Sequence, residues 1–388
     1  MHRPAVHARI LGRERGRRDR SRRPDPAPAI AQGARPRAAG AGRARDGAGV
    51  RRRLDRGRRA QRGAADGRHV RAAAAVAAPA GAAGARARAA RACGLVLPPR
   101  APGSELRLRG ERHTLTRDRR AVRHHYDVGN EFFALFLDVS MTYSCAYFSG
   151  GAATLEQAQE AKLELVCTKL ALEEGERVLD VGCGWGSFAL HAARRHGAQV
   201  LGVTLSEPQA QLARQHARNA GLTDRVEILV ADYRELGDER FDAIASIGMV
   251  EHVGQKRIDV YAHQLAGLLR PGGRLLNHGI AKLKDFDTPD EGDFSERFVS
   301  PDGVPLALSR VELALERAGL VTTHAEGLAG DYAETLRHWI ERFESRYEDA
   351  VRLAGPERAR VWRLYLRAAR LGFVTGWASV YQVLAHRP

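Results

Sequence analysis

Three short segments of this 388-residue sequence contain residue types and spacings that suit a reaction centre. Residues 178–186 (VLDVGCGWG) combine a strand-like run with a glycine-rich turn and lead into a helix-like segment. Residues 143–148 (YSCAYF) and 248–254 (GMVEHVG) lie on either side of this turn in the chain. Glycines let the backbone approach a ligand closely, and a helix that starts there directs its amide donors at the ligand. The pattern predicts a site for a nucleoside cofactor.

The glycine turn has the spacing Gly-x-Gly-x-Gly at Gly182, Gly184 and Gly186, rather than the Gly-x-Gly-x-x-Gly spacing of dinucleotide sites. Asp180 precedes the turn, and its carboxylate can accept hydrogen bonds from an ammonium group or from loop amides. A cationic cofactor needs such an anion in addition to helix-dipole donors. The turn, with Cys183 inside it, therefore favours S-adenosylmethionine (SAM) over a pyrophosphate, and a purely structural turn is the alternative.

Neutral polar residues follow the second predicted strand, where nucleotide sites often carry an acid for the ribose hydroxyls. Thr204, Ser206 and Gln209 can make the same hydrogen bonds. After the third strand, Asp232 is predicted to bind the adenine amino group and Tyr233 to stack on the ring. A solvated aspartate and a packed tyrosine are the alternative.

The positive charge is concentrated at one end of the chain. The formal net charge is +16, and residues 1–100 contain 26 Arg, no Lys and 6 Asp or Glu. Residues 1–104, rich in Arg, Ala, Gly and Pro, have too little apolar surface to order themselves. They are predicted to be a disordered tail or the product of a misplaced start. A cationic tail for nucleic acid or anionic lipid, and a solvated tail, stay open. Residues 105–388 are predicted to form the folded domain.

Membrane-spanning and secretory signals are not evident in the sequence. No run of about 18 apolar residues occurs. The alanine-rich stretch 72–83 is broken by Pro and Gly and lies far from the first residue. The cysteines lack metal-ligand spacing, so no metal site is predicted, and they favour a reducing cytoplasm over a disulfide framework. They are Cys93, Cys145, Cys167 and Cys183.

Alternating strands and helices predict a mostly parallel, doubly wound α/β sheet. The predicted strands are 178–181, 199–204, 226–230, 241–247 and 274–278, and the helices between them are 187–196, 207–220 and 260–269. Upstream, Asn130 is predicted to cap an apolar helix and Thr154 to open another. The polar region 285–305 is predicted to be an insertion or lid.

From Tyr332 to Val383 the spacing predicts helix, with a stripe of aromatic residues. We expect the stripe to pack as core, and the alternative is that some rings line an apolar substrate channel. The stripe consists of Trp339, Phe343, Tyr347, Trp362, Tyr365, Phe373, Trp377 and Tyr381.

The segments Tyr-Ser-Cys-Ala-Tyr-Phe, Gly-Cys-Gly-Trp-Gly, Gly-Val-Thr-Leu-Ser-x-x-Gln and Gly-Met-x-Glu-His-Val-Gly occur here in this order. Together they resemble the cyclopropane-fatty-acyl-phospholipid synthases and their mycolic-acid and fatty-acid methyltransferase relatives. The resemblance covers about residues 120–385. It implies a class I SAM-dependent methyltransferase fold with helical additions around a lipid channel. It also implies carbon transfer from SAM to the cis double bond of unsaturated phospholipid acyl chains.

The resemblance further implies a bound bicarbonate ion as the base. An alkene is a weak nucleophile, so it must be aligned with the methyl donor in a dry cavity, and the resulting carbocation must lose a proton. The matching positions for the ion are Cys145, Glu251, His278, the backbone of Ile280, and Tyr332. By the same resemblance, Tyr143 and Ser144 contact the amino-acid end of SAM.

Two positions depart from the pattern of that family. Some members have a cysteine in the C-terminal helix where this chain has Ala369. Many have a small polar residue after His278, where this chain has Gly279, and the difference is expected to alter the pocket shape.

The residues leave several functions open. Proton loss from the new methyl group gives a cyclopropane, which we favour, and loss from a neighbouring carbon leaves an alkene. A methylene- or methyl-branched chain is the nearest alternative product. A small-molecule N-methyltransferase is less favoured, because amine methylation needs no bound base. An inactive lipid-binding protein is a further alternative.

The partners expected are unsaturated acyl chains at the membrane surface, with no specific nucleic acid, and a cytoplasmic, peripherally membrane-associated location. A homodimer stays open. Four residues form a candidate membrane-landing face, with core packing as the equal alternative: Phe132, Phe133, Phe136 and Leu137.

We predict that a chain lacking residues 1–100 keeps its lipid-modifying activity, because every motif above lies downstream of the tail. Fatty acids extracted from cells that express the full and the shortened chain would be compared by mass spectrometry. Loss of modified lipid in the shortened chain, with equal protein levels, would assign a task to the tail.

Overall fold

The computed structural model describes residues 105, 108, 111–126, 128–283 and 294–388, so the predicted tail 1–104 lies outside the described residues. The helices are α1 (Leu115–Tyr126), α2 (Asn130–Phe133), α3 (Leu155–Lys169), α4 (Ser187–His196), α5 (Glu207–Asn219), α6 (Ile258–Leu268), α7 (Phe294–Phe298), α8 (Leu308–Arg317), α9 (Ala329–Ser345) and α10 (Tyr347–Val374). The strands are β1 (Arg177–Val181), β2 (Gln199–Thr204), β3 (Val226–Val230), β4 (Phe241–Ile247), β5 (Leu269–Lys282), β6 (Val321–Gly327) and β7 (Ala378–His386).

One seven-stranded sheet organises these elements in the order β3-β2-β1-β4-β5-β7-β6. The first five strands are parallel, and β7 runs antiparallel between β5 and β6. β1 is central and almost wholly buried, as expected of a parallel strand with helices on both faces. The predicted α/β architecture is confirmed. The strand order reverses beside β1, which is where open α/β sheets bind ligands at the carboxyl ends of their strands.

The glycine turn joins β1 to α4 in the conformation that its glycines allow. The amides of Gly182 and Cys183 both donate to the Val203 carbonyl, each at 2.9 Å, so the turn is tied to the end of β2. Gly186 precedes α4 with a φ of 87°, and a Cβ there would lie 3.1 Å from the Cβ of Ala213 on α5. The turn therefore depends on glycine for both its backbone shape and the approach of α5.

The carboxyl-terminal region differs from the sequence prediction, which extended helix to Val383. Helix α10 ends at Val374, Gly376 adopts a φ of 71°, and the chain then forms β7. The aromatic residues recur at helical spacing up to Tyr381. In addition, β7 is covered on both faces, so its buried and exposed residues do not alternate as they do in a strand with one exposed face. The edge strand β6 was missed because its side chains are polar and largely exposed. β5 begins at Leu269, five residues earlier than predicted.

Two predicted helix starts have different outcomes. Thr154 caps α3 in a capping box with Gln157, as predicted. Asn130 is instead the first residue of the four-residue α2, after Gly129 at a φ of 101°. The Asn130 side chain bonds outside the helix, where its oxygen accepts from Trp185 Nε1 at 2.8 Å.

The proposed landing face is wrong, because its residues form the core beside α9 and α10. Phe132, Phe133 and Phe136 are fully buried, and Leu137 is nearly so. All three phenylalanine rings lie within 6.0 Å of the Trp362 ring, centroid to centroid. Most of the predicted aromatic stripe shares this core, but Trp377 is exposed.

In the part of the predicted lid that the structure describes, residues 294–305 pack over the carboxyl edge of the sheet. Asp302 accepts hydrogen bonds from Arg117 of α1 at 2.5 and 2.7 Å, and Val304 donates its amide to the Glu251 carbonyl. Residues 285–293 of the predicted lid lie outside the described residues. None of the described helices has the length and apolar character needed to span a bilayer.

We predict that Phe132→Ala lowers the free energy of unfolding by about 3–5 kcal/mol, because it removes a fully buried ring. Val139→Ala, at a site that is 87% exposed, should change it by less than about 0.5 kcal/mol. Chemical denaturation followed by circular dichroism measures both. Equally small changes in the free energy of unfolding for both variants would show that Phe132 is not a core residue.

Candidate active site

Two adjoining spaces lie at the carboxyl edge of the sheet. A cleft of about 1060 Å³ is framed by the glycine turn, the ends of β2 and β4, and α1. A cavity of about 730 Å³ lies next to it, below residues 295–305. The two share the wall residues Tyr126, Tyr143, Ser144, Gly248 and His252. A ligand in the cleft and a second ligand in the cavity would therefore meet across this wall.

The sequence-predicted residues divide between these spaces. Ten of the predicted cofactor residues line the cleft: Tyr143, Ser144, Asp180, Gly182, Cys183, Gly184, Thr204, Gln209, Asp232 and Tyr233. Gly186 and Ser206 do not line it. All five residues predicted for the bound base line the cavity: Cys145, Glu251, His278, Ile280 and Tyr332.

Asp180 provides the negative group of the cleft. It is the penultimate residue of β1 and is almost wholly buried, and its Oδ2 has no hydrogen-bond partner among the described residues. Burial raises the pKa of this carboxyl to about 7, although the Lys162 ammonium opposes the shift. A buried, unpaired carboxylate oxygen is costly, so a cationic ligand that pairs with it gains affinity.

A buried lysine missed from the sequence supports the Tyr143–Cys145 segment. Lys162 of α3 donates to Ser144 Oγ at 2.9 Å, and burial lowers its pKa to about 8. One turn earlier, Gln159 Nε2 donates to the carbonyls of Ser144 (2.9 Å) and Thr142 (3.2 Å). Sequence reasoning had a usable signal, because both polar residues fall on the apolar face of α3.

The end of β2 forms a local network of neutral groups. Thr204 Oγ1 donates to Gln209 Oε1 at 2.9 Å and accepts from the Ser206 amide at 3.2 Å. Ser206 Oγ accepts from the Gln209 amide and so caps α5. Ser206 thus fixes the start of α5, and Thr204 and Gln209 face the cleft.

Asp232 is already paired in this structure. Arg234 donates to both of its carboxylate oxygens, at 2.8 and 2.7 Å, and also to Asp118 of α1. Each carboxylate oxygen has further acceptor capacity, so binding of an adenine amino group remains a prediction for Asp232. Tyr233 is buried beside it with its ring edge-on to Tyr261.

In the cavity, Glu251 lies on a turn that packs closely against β5. Its Oε1 accepts the Ile280 amide at 2.6 Å, and its Oε2 has no partner among the described residues. Burial raises the Glu251 pKa to about 7. The amide of Ile280 is thus directed at Glu251 rather than at open space. Gly279 permits this approach, because a Cβ there would overlap Val250 Cγ1.

His278 is oriented by a chain of hydrogen bonds that starts at a cation. Lys169 Nζ lies 2.7 Å from Gln382 Oε1, and an ammonium can only donate, so this amide oxygen is the acceptor. Gln382 Nε2 then donates to His278 Nδ1 at 3.1 Å. Burial, with the nearby Lys162 and Lys169, lowers the His278 pKa to about 3, so the ring is neutral. Its Nε2 carries the proton and, among the described residues, has no acceptor.

Cys145 and Tyr332 complete the cavity wall as neutral groups. Burial raises the pKa of both side chains well above the usual values. The Cys145 thiol is fully buried and donates toward the Leu328 and Ala146 carbonyls. Tyr332 packs against Phe373, with ring centroids 4.6 Å apart. Ala369, at the position where some relatives carry a cysteine, packs partly buried against the aromatic core.

The fold and the cleft define a class I SAM-dependent methyltransferase, and comparisons with known proteins agree. The profile of the family described as mycolic acid cyclopropane synthetase matches residues 113–383, so the chain belongs to this family. A probable fatty acid methyltransferase of Pseudomonas putida is 42% identical over 280 residues, which cover 71% of each protein.

Two further relatives extend the comparison. The cyclopropane-fatty-acyl-phospholipid synthase of Escherichia coli K12 is 36% identical over 263 residues, 68% of this chain and 66% of that protein. The crystal structure of the mycolic acid cyclopropane synthase CmaA1 complexed with SAH and CTAB superposes with a TM-score of 0.66 at 32% identity. It covers 69% of this chain and 98% of that one. The chain is therefore a SAM-dependent enzyme of the methyltransferase and cyclopropane synthase type.

We predict that Asp180→Asn weakens SAM binding about 10–100-fold, the value of one charge-assisted hydrogen bond. In the wild type, affinity should rise with pH through about 7, because the ammonium pairs with the ionised carboxylate. The variant should lack this rise.

Isothermal titration with SAM at several pH values measures both effects. Asp238→Asn, on an exposed loop, is the control and should bind like the wild type. A wild-type affinity that is flat across neutral pH would contradict the role of Asp180.

Proposed function

We propose that this enzyme transfers a carbon from SAM to the cis double bond of phospholipid acyl chains and forms a cyclopropane ring. At the coarser level, the comparisons support SAM-dependent cyclopropanation or methylation of fatty acyl chains. The observation that carries the finer proposal is the shared wall between cleft and cavity. On the cavity side of this wall lie two buried polar atoms, Glu251 Oε2 and His278 Nε2, without partners among the described residues.

The cleft fits SAM through groups of opposite character. Asp180 offers an unpaired carboxylate oxygen for the amino group of SAM, and beside it the residues of the glycine turn line the cleft. Tyr143 and Ser144, held by Lys162 and Gln159, lie where the cleft meets the cavity. When bound, SAM supplies an electrophilic methyl group. The protein contributes alignment and the exclusion of water, which lower the barrier for a weak alkene nucleophile.

The cavity fits a bicarbonate ion by the chemistry of its donors and acceptors. The neutral His278 ring presents an Nε2–H donor, and the buried Tyr332 keeps its phenol proton for donation. Glu251 Oε2 accepts a proton or a hydroxyl donor. Bicarbonate has both a negative oxygen and a hydroxyl group, so it satisfies both sides. When bound, it supplies the base that removes the proton from the carbocation.

Glu251 and His278 then act as a matched pair. A Glu251 pKa near 7 lets the carboxyl hold or release a proton without a large energy change. His278 stays neutral and donates only, because Gln382 occupies its Nδ1. The side chains thus fix the direction in which the released proton moves: away from the acyl chain and toward Glu251.

A methylene- or methyl-branched product is the second candidate, and the names of two relatives favour it. The ring and the methylene branch both form by loss of a proton from the new methyl group, and they differ in where the cation then lies. A cation on the carbon next to the branch closes the ring, a 1,2-hydride shift that moves the cation to the branched carbon gives the methylene chain, and a methyl-branched chain additionally requires a hydride donor to reduce that alkene.

We also propose that the enzyme meets its substrate at a membrane surface through an apolar patch formed by Leu283, Leu371, Val374 and Trp377. Each of these side chains is between 48% and 61% exposed. Leu283 donates its amide to the Trp377 carbonyl, so the end of β5 and the end of α10 lie together. The same turn of α10 carries Phe373, which packs on Tyr332 of the cavity, so the patch lies close to the acyl site.

We predict that Glu251→Gln lowers lipid turnover about 10²–10⁴-fold, the usual effect of removing a group that takes part in general acid–base catalysis. The enzyme would be expressed in a host rich in monounsaturated phospholipids, and its fatty acids analysed by mass spectrometry. Glu316→Gln, at an exposed site on α8, is the control. A Glu251→Gln variant that is as active as the wild type would show that the proposed cluster does not take part in proton removal.

The same extract tests the product. Ring and methylene-branched chains both gain one CH₂ and have equal mass, so the extract is treated with dimethyl disulfide, which adds to alkenes only. A modified chain that does not react is cyclopropane, as proposed. A reactive one is methylene-branched, and one two hydrogens heavier is methyl-branched. A purified enzyme that consumes SAM without adding carbon to lipid would overturn the proposal.

We predict that the double variant Leu371→Ser, Trp377→Ser binds phospholipid vesicles at least about tenfold more weakly, because two exposed apolar side chains are lost. Co-sedimentation with vesicles of monounsaturated phosphatidylethanolamine and phosphatidylglycerol measures binding. Val139→Ser changes an exposed apolar residue outside the patch and should bind like the wild type. Equal binding by all three proteins would refute the patch.

A further inference from the structure

Helices α3 and α4 bring together four side chains that the reaction does not use. Cys167 and Glu164 lie one turn apart on α3, and His191 and His196 lie on the last turns of α4. One ligand atom each from Cys167, His191 and His196 lies within 4.8 Å of the others. The cluster was not evident in the sequence, because each helix contributes only half of the set and the cysteines show no ligand spacing among themselves.

Glu164 joins this group from the solvent side. Its Oε2 lies 2.9 Å from His191 Nε2 and 3.2 Å from His196 Nε2. Thr168 Oγ1 contacts the other carboxylate oxygen at 3.5 Å. Cys167 closes the group from the core, where it is fully buried. One thiol and two imidazoles therefore share the space between the helices, and the Glu164 carboxylate contacts both imidazoles from the solvent side.

We propose that Glu164, Cys167, His191 and His196 form a four-ligand Zn²⁺ site that clamps α3 to α4. Zinc favours thiolate, imidazole and carboxylate ligands in a tetrahedron, and its bond lengths place ligand atoms about 3.3–3.6 Å apart. The atoms of Cys167, His191 and His196 lie within 4.8 Å of one another, and Glu164 lies 2.9 and 3.2 Å from the two imidazoles, so rotations of these side chains can bring the four groups to that arrangement. With four protein ligands the site has no open position, so its role is structural.

The protonation states agree with this geometry. Burial lowers the His191 pKa, although Glu164 opposes the shift, so the imidazole is neutral at neutral pH and has a lone pair for a metal. Burial raises the Cys167 pKa, so the free protein holds a thiol. Binding then forms the Zn–S bond and releases the thiol proton to solvent. Arg195 of α4 is paired with Glu160 at 2.7 Å.

The clamp would act on the two elements that frame the SAM cleft. Helix α3 carries Lys162 and Gln159, which hold the Tyr143–Cys145 segment, and α4 starts directly at the glycine turn. A bond between the far ends of these helices restricts their relative motion without contact with the substrate. The inference does not depend on the lipid product.

The test uses the full chain, purified without a polyhistidine tag and freed of metal by a chelator. Co²⁺ is titrated first as a spectroscopic probe, then displaced by Zn²⁺. We expect one equivalent of Co²⁺ with a thiolate-to-cobalt charge-transfer band, and a higher Tm with Zn²⁺. Cys167→Ser should lose the band and the gain in Tm. His196→Gln, at the more exposed end of α4, should bind at least about tenfold more weakly if the cysteine variant fails to fold.

His263→Gln alters an exposed histidine on α6 and serves as the matched control, with the band and the Tm gain intact. Absence of the band in the wild type would overturn the proposal, because the four groups would then be only a Glu164–histidine ion-pair cluster. An equal band and stoichiometry in the wild type, Cys167→Ser and His196→Gln would also overturn it, because the metal would then bind elsewhere, as at the histidines of the tail.

Discussion

The hydrogen bond from Lys162 to Ser144 is the interaction on which the site depends. It joins α3 to the Tyr143–Cys145 segment, which forms part of the wall between the cleft and the cavity. Lys162 is 1% exposed, and burying a charged side chain in this way is costly unless anions and acceptors surround it. Asp138 and Asp180 supply that field. Lys162 therefore holds the wall segment in place and stabilises the ionised form of Asp180, the residue proposed to bind the cofactor.

Three polar residues of the candidate site share one feature: each has a buried polar atom that is open to a ligand. Asp180, Glu251 and His278 each have one polar atom buried without a partner among the described residues. For Glu251 and His278, the second atom is held by Ile280 or Gln382. A buried polar network that is half satisfied destabilises the empty protein, and ligands that complete it recover this energy. Affinity and orientation thus have the same physical origin.

Much of the sheet was predictable, because buried parallel strands and glycine turns are local signals. The bounds of β1 to β4 follow from the sequence almost residue by residue. The antiparallel strands β6 and β7 were not predictable. β7 is paired on both edges by strands distant in the chain, and Phe373, Trp377 and Tyr381 recur at the four-residue spacing of a helix. Lys162 and Gln382 escaped notice for a related reason. Polar residues on helices and strands usually face water. The apolar face of α3 was a signal for Lys162, but only the fold shows that Gln382 lies inside.

The position of β7 has a consequence for how the enzyme folds as it leaves the ribosome. This strand is made after β5 and β6 yet inserts between them, and it carries Gln382. Until β7 emerges, β5 has an unpaired edge, and Gln382 is not in place to fix the tautomer of His278. A nascent chain can therefore form β1 to β4 early, but β5 and His278 reach the arrangement described here only after β7 has paired with β5.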